Sequence, residues 1–177
     1  RIFLRQSFDG SAKITRVQDA HGANLAHTIV KTMMRIDLPT PLPPGQDFKF
    51  SVDWHYAIND SKVLPGRTGY EYFESDRNYL YEIAQWFPRM VAFTDATGWQ
   101  HKQFIGQGEF TLELGDYLVR ITAPDDHIVA ATGVLQNSGE VLSAVQRERL
   151  EQAKSSSRPV FIVTPAEALE NQKDKTD

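Results

Sequence analysis

From Ala12 to Asp60 the chain consists of short stretches in which apolar and polar side chains alternate, separated by turn-forming residues. Alternation at period two is typical of a strand with one buried face. Between Lys13 and Asp19 the inward residues are Ile14 and Val17, and the His-Gly-Ala-Asn sequence at 21–24 supplies a turn. This pattern predicts strands over residues 13–19, 25–30 and 33–38.

The clearest alternating stretch follows a proline-rich segment. Residues 39–45 contain four prolines and one glycine, which exclude both a helix and regular strand pairing there. Residues 48–58 then predict a strand that carries one apolar or aromatic face, made of Phe48, Phe50, Val52, Trp54 and Tyr56. We expect this face to belong to the core or to a packed interface.

The middle of the chain is rich in aromatic residues. Residues 62–77 mix proline, glycine, charges and tyrosines and predict a loop held down by its aromatic side chains, and residues 79–99 are the most aromatic part of the sequence. Alternation on both sides of Gly115 and Asp116 predicts a β-hairpin over residues 109–122. Residues 128–131 predict a further strand, another is expected after Gly133, and the β-rich part ends near Asn137.

The last 40 residues change character. Ser143 with Gln146, and Thr164 with Glu167, both fit the capping-box pattern, and Pro165 stands at the favoured first position of a helix. We therefore expect helices over residues 144–155 and 165–172, with a short strand at 160–163 between them. The predicted organisation is a β-rich domain over residues 1–140 and a helical extension over residues 141–177.

Composition excludes several classes of function. The 177 residues carry 19 Lys and Arg against 23 Asp and Glu, and the net charge of -4 has the wrong sign for a nucleic-acid partner. The absence of cysteine excludes a thiol nucleophile, a cysteine-ligated metal and a disulfide framework. No apolar run is long enough to span a membrane. The N-terminus lacks an initiating Met and a signal-peptide core, so we expect the chain to be a piece of a longer protein.

Catalytic and cofactor motifs are not evident in the residue spacing. No two of the five histidines lie three or four apart with the glutamate that a zinc helix requires, although His21 and His27 could meet across a hairpin. The Gly-Gln-Gly sequence at 106–108 precedes a predicted strand, not a helix, which argues against a phosphate-binding loop. Two acidic groups, Glu71-x-x-Glu74-x-Asp76 and Asp125-Asp126, are more typical of solvated turns than of a catalytic pair.

The aromatic residues between Trp54 and Trp99 permit a binding function. Tyrosine and tryptophan provide contact area for sugars or for a protein partner at a small entropic cost. The alternative is that they form the core of the β-domain. The residues by themselves therefore favour a non-catalytic binding or scaffolding unit, with a self-contained hydrolase that uses Asp or Glu pairs as a remote third possibility.

Four motifs follow one another between Gln85 and Gly133. They are Gln85-Trp86-Phe87-Pro88-Arg89-Met90 leading to Gly98-Trp99, Gly108-Glu109-Phe110, Gly115-Asp116-Tyr117-x-Val119, and Ala123-Pro124 through Ala131-Thr132-Gly133. In this order they resemble the N-terminal domain of zinc aminopeptidases of the aminopeptidase N-like, gluzincin type, in its bacterial branch. The resemblance spans roughly residues 10 to 140. It implies a mainly β, saddle-shaped, antiparallel sandwich-like domain that packs on a thermolysin-like catalytic domain of the same chain.

The resemblance also divides the chemistry between the two domains. It places the zinc ligands, the general-base glutamate and the Gly-x-Met-Glu-Asn strand in the catalytic domain, and none of these motifs occurs here. It therefore implies no cofactor in this chain and zinc in the parent enzyme. The same bacterial branch favours the cell envelope, periplasmic or membrane-associated, over the cytoplasm.

What the resemblance implies for this chain is one wall of a cleft for peptide substrates. The residue that it assigns to binding the free amino group of the peptide is Gln85, with Glu82 as a weaker neighbour. A neutral amide oxygen can accept a hydrogen bond from an ammonium group. The alternative for Gln85 is a structural hydrogen bond to the backbone around Pro88.

Overall fold

The computed structural model describes residues 8–75, 77–103, 111–124 and 126–171. The chain divides into two compact units between Asp116 and Tyr117. The strands lie in the first unit and the helices in the second. The predicted division after residue 140, which was based on composition, stays a prediction.

Strand residues outnumber helical residues, and the sheets are small and antiparallel. Within the described residues the strands are β1 (Lys13–Asp19), β2 (His27–Val30), β3 (Met33–Ile36), β4 (Phe50–His55), β5 (Gly69–Phe73), β6 (Asn78–Glu82), β7 (Phe93–Thr94) and β8 (Gly98–Trp99). They pair as β1 with β4, β2 with β3, β5 with β6, and β7 with β8.

The β1–β4 pair contains the first part of a small core. Val17 pairs with Val52, and the backbone amide of Leu25 donates to the carbonyl of Val17 at 2.9 Å. The side chains of Val17 and Leu25 are both buried. Thr15 lies at a bulge between two registers of this pair. The prediction for β1 is confirmed over its full length, whereas the strand predicted over 48–58 is shorter at both ends.

The β2–β3 hairpin is held by a residue far along the chain. The side-chain oxygen of Gln103 accepts hydrogen bonds from the backbone amide of Thr32 at 3.1 Å and from its hydroxyl at 2.7 Å. The Gln103 amide donates to the carbonyl of Val30 at 2.9 Å. Three bonds to one tight turn fix this hairpin against the segment that follows β8. Strands were predicted here, although β2 begins two residues later and β3 ends two residues earlier.

The prediction of a loop over residues 62–77 is wrong in its second half, where β5 forms. Gly69 makes this possible because it has a φ of 150° and the backbone of Asn59 lies directly beside it. The amide of Tyr70 donates to the carbonyl of Asn59 at 2.8 Å, and the Tyr70 carbonyl accepts from Ser61 at 3.0 Å. The strand therefore has hydrogen-bonding partners on both sides, which the loop-like composition did not indicate.

The hairpin predicted over 109–122 does not form in residues 111–122, and residues 109 and 110 lie outside the described part. A single antiparallel bridge joins Leu112 to Val91. Leu114, an apolar residue of the alternating segment, is 97% exposed, so its side chain does not pack in a core as the strand prediction required. The strands predicted at 128–131 and after Gly133 are also absent from the described chain, because no partner strand lies beside them.

The second unit carries three helices among its described residues, α1 (Ser138–Val141), α2 (Ala144–Ser155) and α3 (Pro165–Asn171). The hydroxyl of Ser143 accepts from the amide of Gln146 at 3.2 Å, and the Gln146 side chain accepts from the Ser143 amide at 2.9 Å. This capping box confirms the predicted start of α2. The strand predicted at 160–163 is not formed, and α1 was not predicted.

None of the helices in the described part of the chain has the length and hydropathy that crossing a membrane requires. The longest, α2, has 12 residues, and no residue of it is buried.

Candidate functional site

Gln85 lies in a bend three residues after the end of β6. Its backbone φ is 52°, in the left-handed region that non-glycine residues rarely adopt. The side chain is exposed, and in the described part of the chain its amide makes no hydrogen bond. The alternative contact to the backbone around Pro88 is therefore not seen among the described residues.

Glu82 is the last residue of β6 and pairs with Gly69 of β5. Its side chain is exposed and has no ion-pair partner within the described ranges. Both residues that the resemblance assigns to substrate binding thus lie on one short segment, and their polar side-chain groups have no partner among the described residues. Whether either one binds a substrate stays a prediction.

The segment that follows Gln85 is held by Trp54 of β4. The indole rings of Trp54 and Trp86 stack with centroids 6.2 Å apart and planes inclined by 26°. The indole N–H of Trp54 donates to the backbone carbonyl of Trp86 at 3.3 Å. Trp86 in turn contacts the edge of Phe87 at a centroid distance of 5.0 Å. Three aromatic residues therefore anchor the chain immediately after Gln85.

Arg89 fixes the other end of the same segment. Its guanidinium lies 5.7 Å from the centre of the Phe87 ring, a cation–π contact. It also donates to the backbone carbonyl of Glu113 at 3.0 Å, and the Glu113 carboxylate accepts from the amide of Phe93 at 3.3 Å. The motif that carries Gln85 is thus tied both to β4 and to residues 112–113.

Trp54, Arg89 and Glu113 were not predicted to act at this site. Trp54 was noted as part of an apolar strand face, but nothing in the sequence connects it to Trp86, 32 residues away. The only sequence feature that pointed to the contact between Trp54 and Trp86 was the concentration of aromatic residues, which does not indicate which rings contact each other.

The β5–β6 hairpin presents a separate aromatic surface, which we call the tyrosine face. Tyr70 pairs with Tyr81 and Tyr72 with Tyr79, so that the four rings share one side of the hairpin. The closest rings are those of Tyr72 and Tyr79, with centroids 4.7 Å apart. Tyr79 is 53% exposed. This surface could stack against a flat apolar ligand or a partner protein.

The candidate metal ligands remain scattered. His21 lies in a turn, and its backbone amide donates a hydrogen bond to the Asp19 carboxylate. A hydrogen bond from the Ala23 backbone amide lowers the pKa of the same carboxyl group. The imidazole of His27 contacts the carbonyl of Leu25 at 3.1 Å. Among the residues described, no three His, Asp or Glu side chains group in a way that could hold a metal ion.

Some of the sequence features cannot be located. Asp76, Asp125, the Gly-Gln-Gly sequence at 106–108 and the motif Gly108-Glu109-Phe110 lie outside the described residues. Asp126 is described, and its carboxylate lies 2.6 Å from Nδ1 of His127.

No protein-family model matches the chain, and no curated protein and no solved structure matches it either.

Proposed function

We propose that the chain is the non-catalytic N-terminal domain of a zinc-dependent aminopeptidase, an enzyme that removes residues from the N-terminus of peptides. The domain forms one wall of the substrate cleft and packs on the thermolysin-like catalytic domain of the same longer protein. The proposed fold of this domain is a saddle-shaped, antiparallel sandwich-like structure. The proposal favours the bacterial envelope over the cytoplasm as the location of the full-length protein, without fixing either.

The observation that carries this proposal is the order and spacing of the four motifs between Gln85 and Gly133. Any one of them is short enough to arise by chance, whereas four in the correct order are far more specific. The local structure at Gln85 supports the role given to it, because the exposed amide has no hydrogen-bonding partner in the described chain and can accept from a peptide ammonium.

The open apolar surface of the first unit supports the proposed packing against a second domain. Trp99, Phe93 and Met90, which lie in or beside the motif segment, are all more than half exposed. Large apolar side chains grouped at a surface typically mark a site of protein contact. The zinc ion, when bound by the catalytic domain, supplies the Lewis acid that activates water for hydrolysis.

The decisive experiment compares residues 1–177 with the full-length protein. We expect the full-length protein to release N-terminal residues from peptides with a free amine and to contain stoichiometric zinc. The 177-residue chain should have neither property. Tightly held, stoichiometric zinc in the short chain would contradict the proposal. So would a downstream sequence that lacks both Gly-x-Met-Glu-Asn and His-Glu-x-x-His.

The role of Gln85 is tested in the full-length protein by Gln85→Ala. Loss of one hydrogen bond to a charged ammonium should raise KM about tenfold for peptides with a free amine. The zinc content should not change. The matched variant Gln100→Ala removes an amide of the same kind that bonds to the hydroxyl of Thr94 and the carbonyl of Gly98 instead. An unchanged KM in Gln85→Ala would assign Gln85 to packing only.

The tyrosine face favours a second candidate, a carbohydrate- or protein-binding module. Four rings on one side of a two-stranded hairpin form a continuous stacking surface. We would expect soluble glycans to change the tyrosine and tryptophan fluorescence of the chain, and the double substitution Tyr79→Ala and Tyr81→Ala to abolish the change. A glycan array and a titration that both give no response would remove the carbohydrate version of this candidate.

A further inference from the structure

Trp54 contacts the candidate substrate-binding segment at two points. Its ring stacks on the ring of Trp86, and its indole N–H donates to the carbonyl of the same residue. Trp86 directly follows Gln85 in the chain. A residue whose side chain and carbonyl are both held has little freedom to change the direction of the peptide that precedes it.

The backbone of β4 gives Trp54 a defined position. Trp54 pairs with Ile14 across the β1–β4 sheet, and its neighbour Asp53 accepts a hydrogen bond from the guanidinium of Arg16 at 2.7 Å. The indole thus projects from a hydrogen-bonded strand, not from a loop. Side chains on regular elements hold their neighbours in place more accurately than side chains on loops.

Gln85 needs such support because of its own conformation. A φ of 52° in a glutamine lies in a small allowed region and persists only where the surrounding structure holds it. Its amide has no hydrogen bond of its own within the described residues, so the direction of the side chain depends on the backbone. The contact to Trp86 is the nearest described restraint after Gln85.

We infer that Trp54 is a positioning residue for the recognition of the peptide amine, because it fixes Trp86 and thereby the left-handed turn at Gln85. The inference rests on the proposed function. It predicts that the indole N–H of Trp54 contributes to affinity only through Gln85, without contact to substrate.

The test uses the full-length protein with three variants and one double variant. Trp54→Phe keeps an aromatic ring in β4 but removes the N–H, and we expect KM for free-amine peptides to rise about threefold with kcat unchanged. The matched control is Tyr56→Phe, which removes the hydroxyl of an aromatic side chain two residues after Trp54 in the chain. It should leave KM unchanged.

The double variant distinguishes positioning from general damage. In the Gln85→Ala background, Trp54→Phe should have no further effect on KM, because the group that it positions is absent. Inhibition by a dipeptide should weaken in Trp54→Phe, and inhibition by the same compound without its amino group should not. Additive effects in the double variant, or equal weakening of both inhibitors, would overturn the inference.

Failure of the inference and failure of the proposed function give different results. If the full-length protein hydrolyses no peptide, the proposed function is wrong and the inference falls with it. If the protein is active and Gln85→Ala raises KM while Trp54→Phe does not, the proposed function stands and only the inference is overturned.

Discussion

Gln85 combines an unfavourable backbone conformation with an exposed side-chain amide that has no hydrogen-bonding partner among the described residues. Glycine adopts a φ of 52° without the steric cost that a glutamine meets there. We expect Gln85→Gly to increase the free energy of unfolding by about 1 kcal/mol, since a non-glycine residue in this region costs about 1–2 kcal/mol. The same change should raise KM in the full-length protein.

Gln85→Ala separates the two effects, because alanine keeps the steric cost and loses the amide. Urea denaturation and peptide kinetics on both variants provide the measurement. A glycine variant that is more stable and equally active would show that the side chain of Gln85 has no role in binding.

Gly69 illustrates the opposite situation, in which only glycine fits. A Cβ atom at this position would lie 2.9 Å from the carbonyl oxygen of Asn59 and against the hydroxyl of Ser61. The φ of 150° is also unfavourable for other residues. We expect Gly69→Ala to reduce the free energy of unfolding by about 1–3 kcal/mol, measured as a lower urea midpoint.

The control for this change is Gly66→Ala in the same segment. There the nearest atom to an added Cβ is the carbonyl oxygen of Thr68 at 3.9 Å, an ordinary contact. Gly66→Ala should leave the midpoint unchanged or raise it slightly. An equally small change of the urea midpoint in Gly69→Ala would contradict the close approach of Asn59 to β5.

At the scale of elements, an ion pair joins α2 to the start of α3. Arg149 donates to the Glu167 carboxylate at 2.6 Å and to the carbonyl of Ile162 at 3.0 Å. The same carboxylate accepts from the amide and the hydroxyl of Thr164, each at 2.8 Å. The hydrogen bond from Arg149, followed by those from Thr164, lowers the pKa of Glu167 from 4.5 to about 2.

The lowered pKa of Glu167 predicts how α3 responds to acid. A carboxyl group whose pKa is lower in the folded state stabilises that state fully above its unfolded pKa, near 4.5. The contribution is lost as the pH falls through about 2. We expect the carboxyl carbon of Glu167, followed by NMR, to titrate near the lower value, together with the loss of the Thr164 cap.

Glu167→Gln should remove this pH dependence and loosen the start of α3. Glu151→Gln is the matched control, because among the described residues its carboxylate pairs only with the exposed Lys154 on the same helix. A Glu167 titration at the ordinary value of a solvated glutamate would contradict the ion pair to Arg149.

The sequence predictions were accurate where an element depends on residues close together in the chain, and less accurate where it depends on distant residues. The start of α2 was predicted correctly, because its capping box involves Ser143 and Gln146, which lie three residues apart. The strand at residues 13–19 was also correct, since a long alternating pattern is local. The hairpin predicted over 109–122 was wrong in its described part, residues 111–122, because alternation indicates a strand but not the partner that must pair with it.

At the scale of the whole molecule, the candidate site could be predicted only in part. Gln85 and Glu82 were assigned by resemblance, and the structure places both on the segment that follows β5. Trp54 and Glu113 reach this segment from positions at least 24 residues away along the chain. Such contacts depend on strand pairing and chain path, which residue spacing does not specify.

The described residues bury few apolar side chains. Val17, Leu25 and Ala92 form the buried apolar set, whereas Leu114, Leu118 and many other large apolar residues are exposed. Each exposed side chain of this size forgoes about 1.5–3 kcal/mol of burial free energy. A second domain that covers part of this surface would therefore increase the stability of the whole protein.

We expect the 177-residue chain to bind the hydrophobic dye ANS strongly and the full-length protein to bind less dye per molecule, although it is longer. The reason is that the catalytic domain would cover apolar side chains that the short chain leaves in water. Fluorescence titration at equal molar concentration measures the difference. A mixture of the short chain with an unrelated folded protein is the control and should retain the full signal. Equal dye binding per molecule would contradict packing of the two domains against each other.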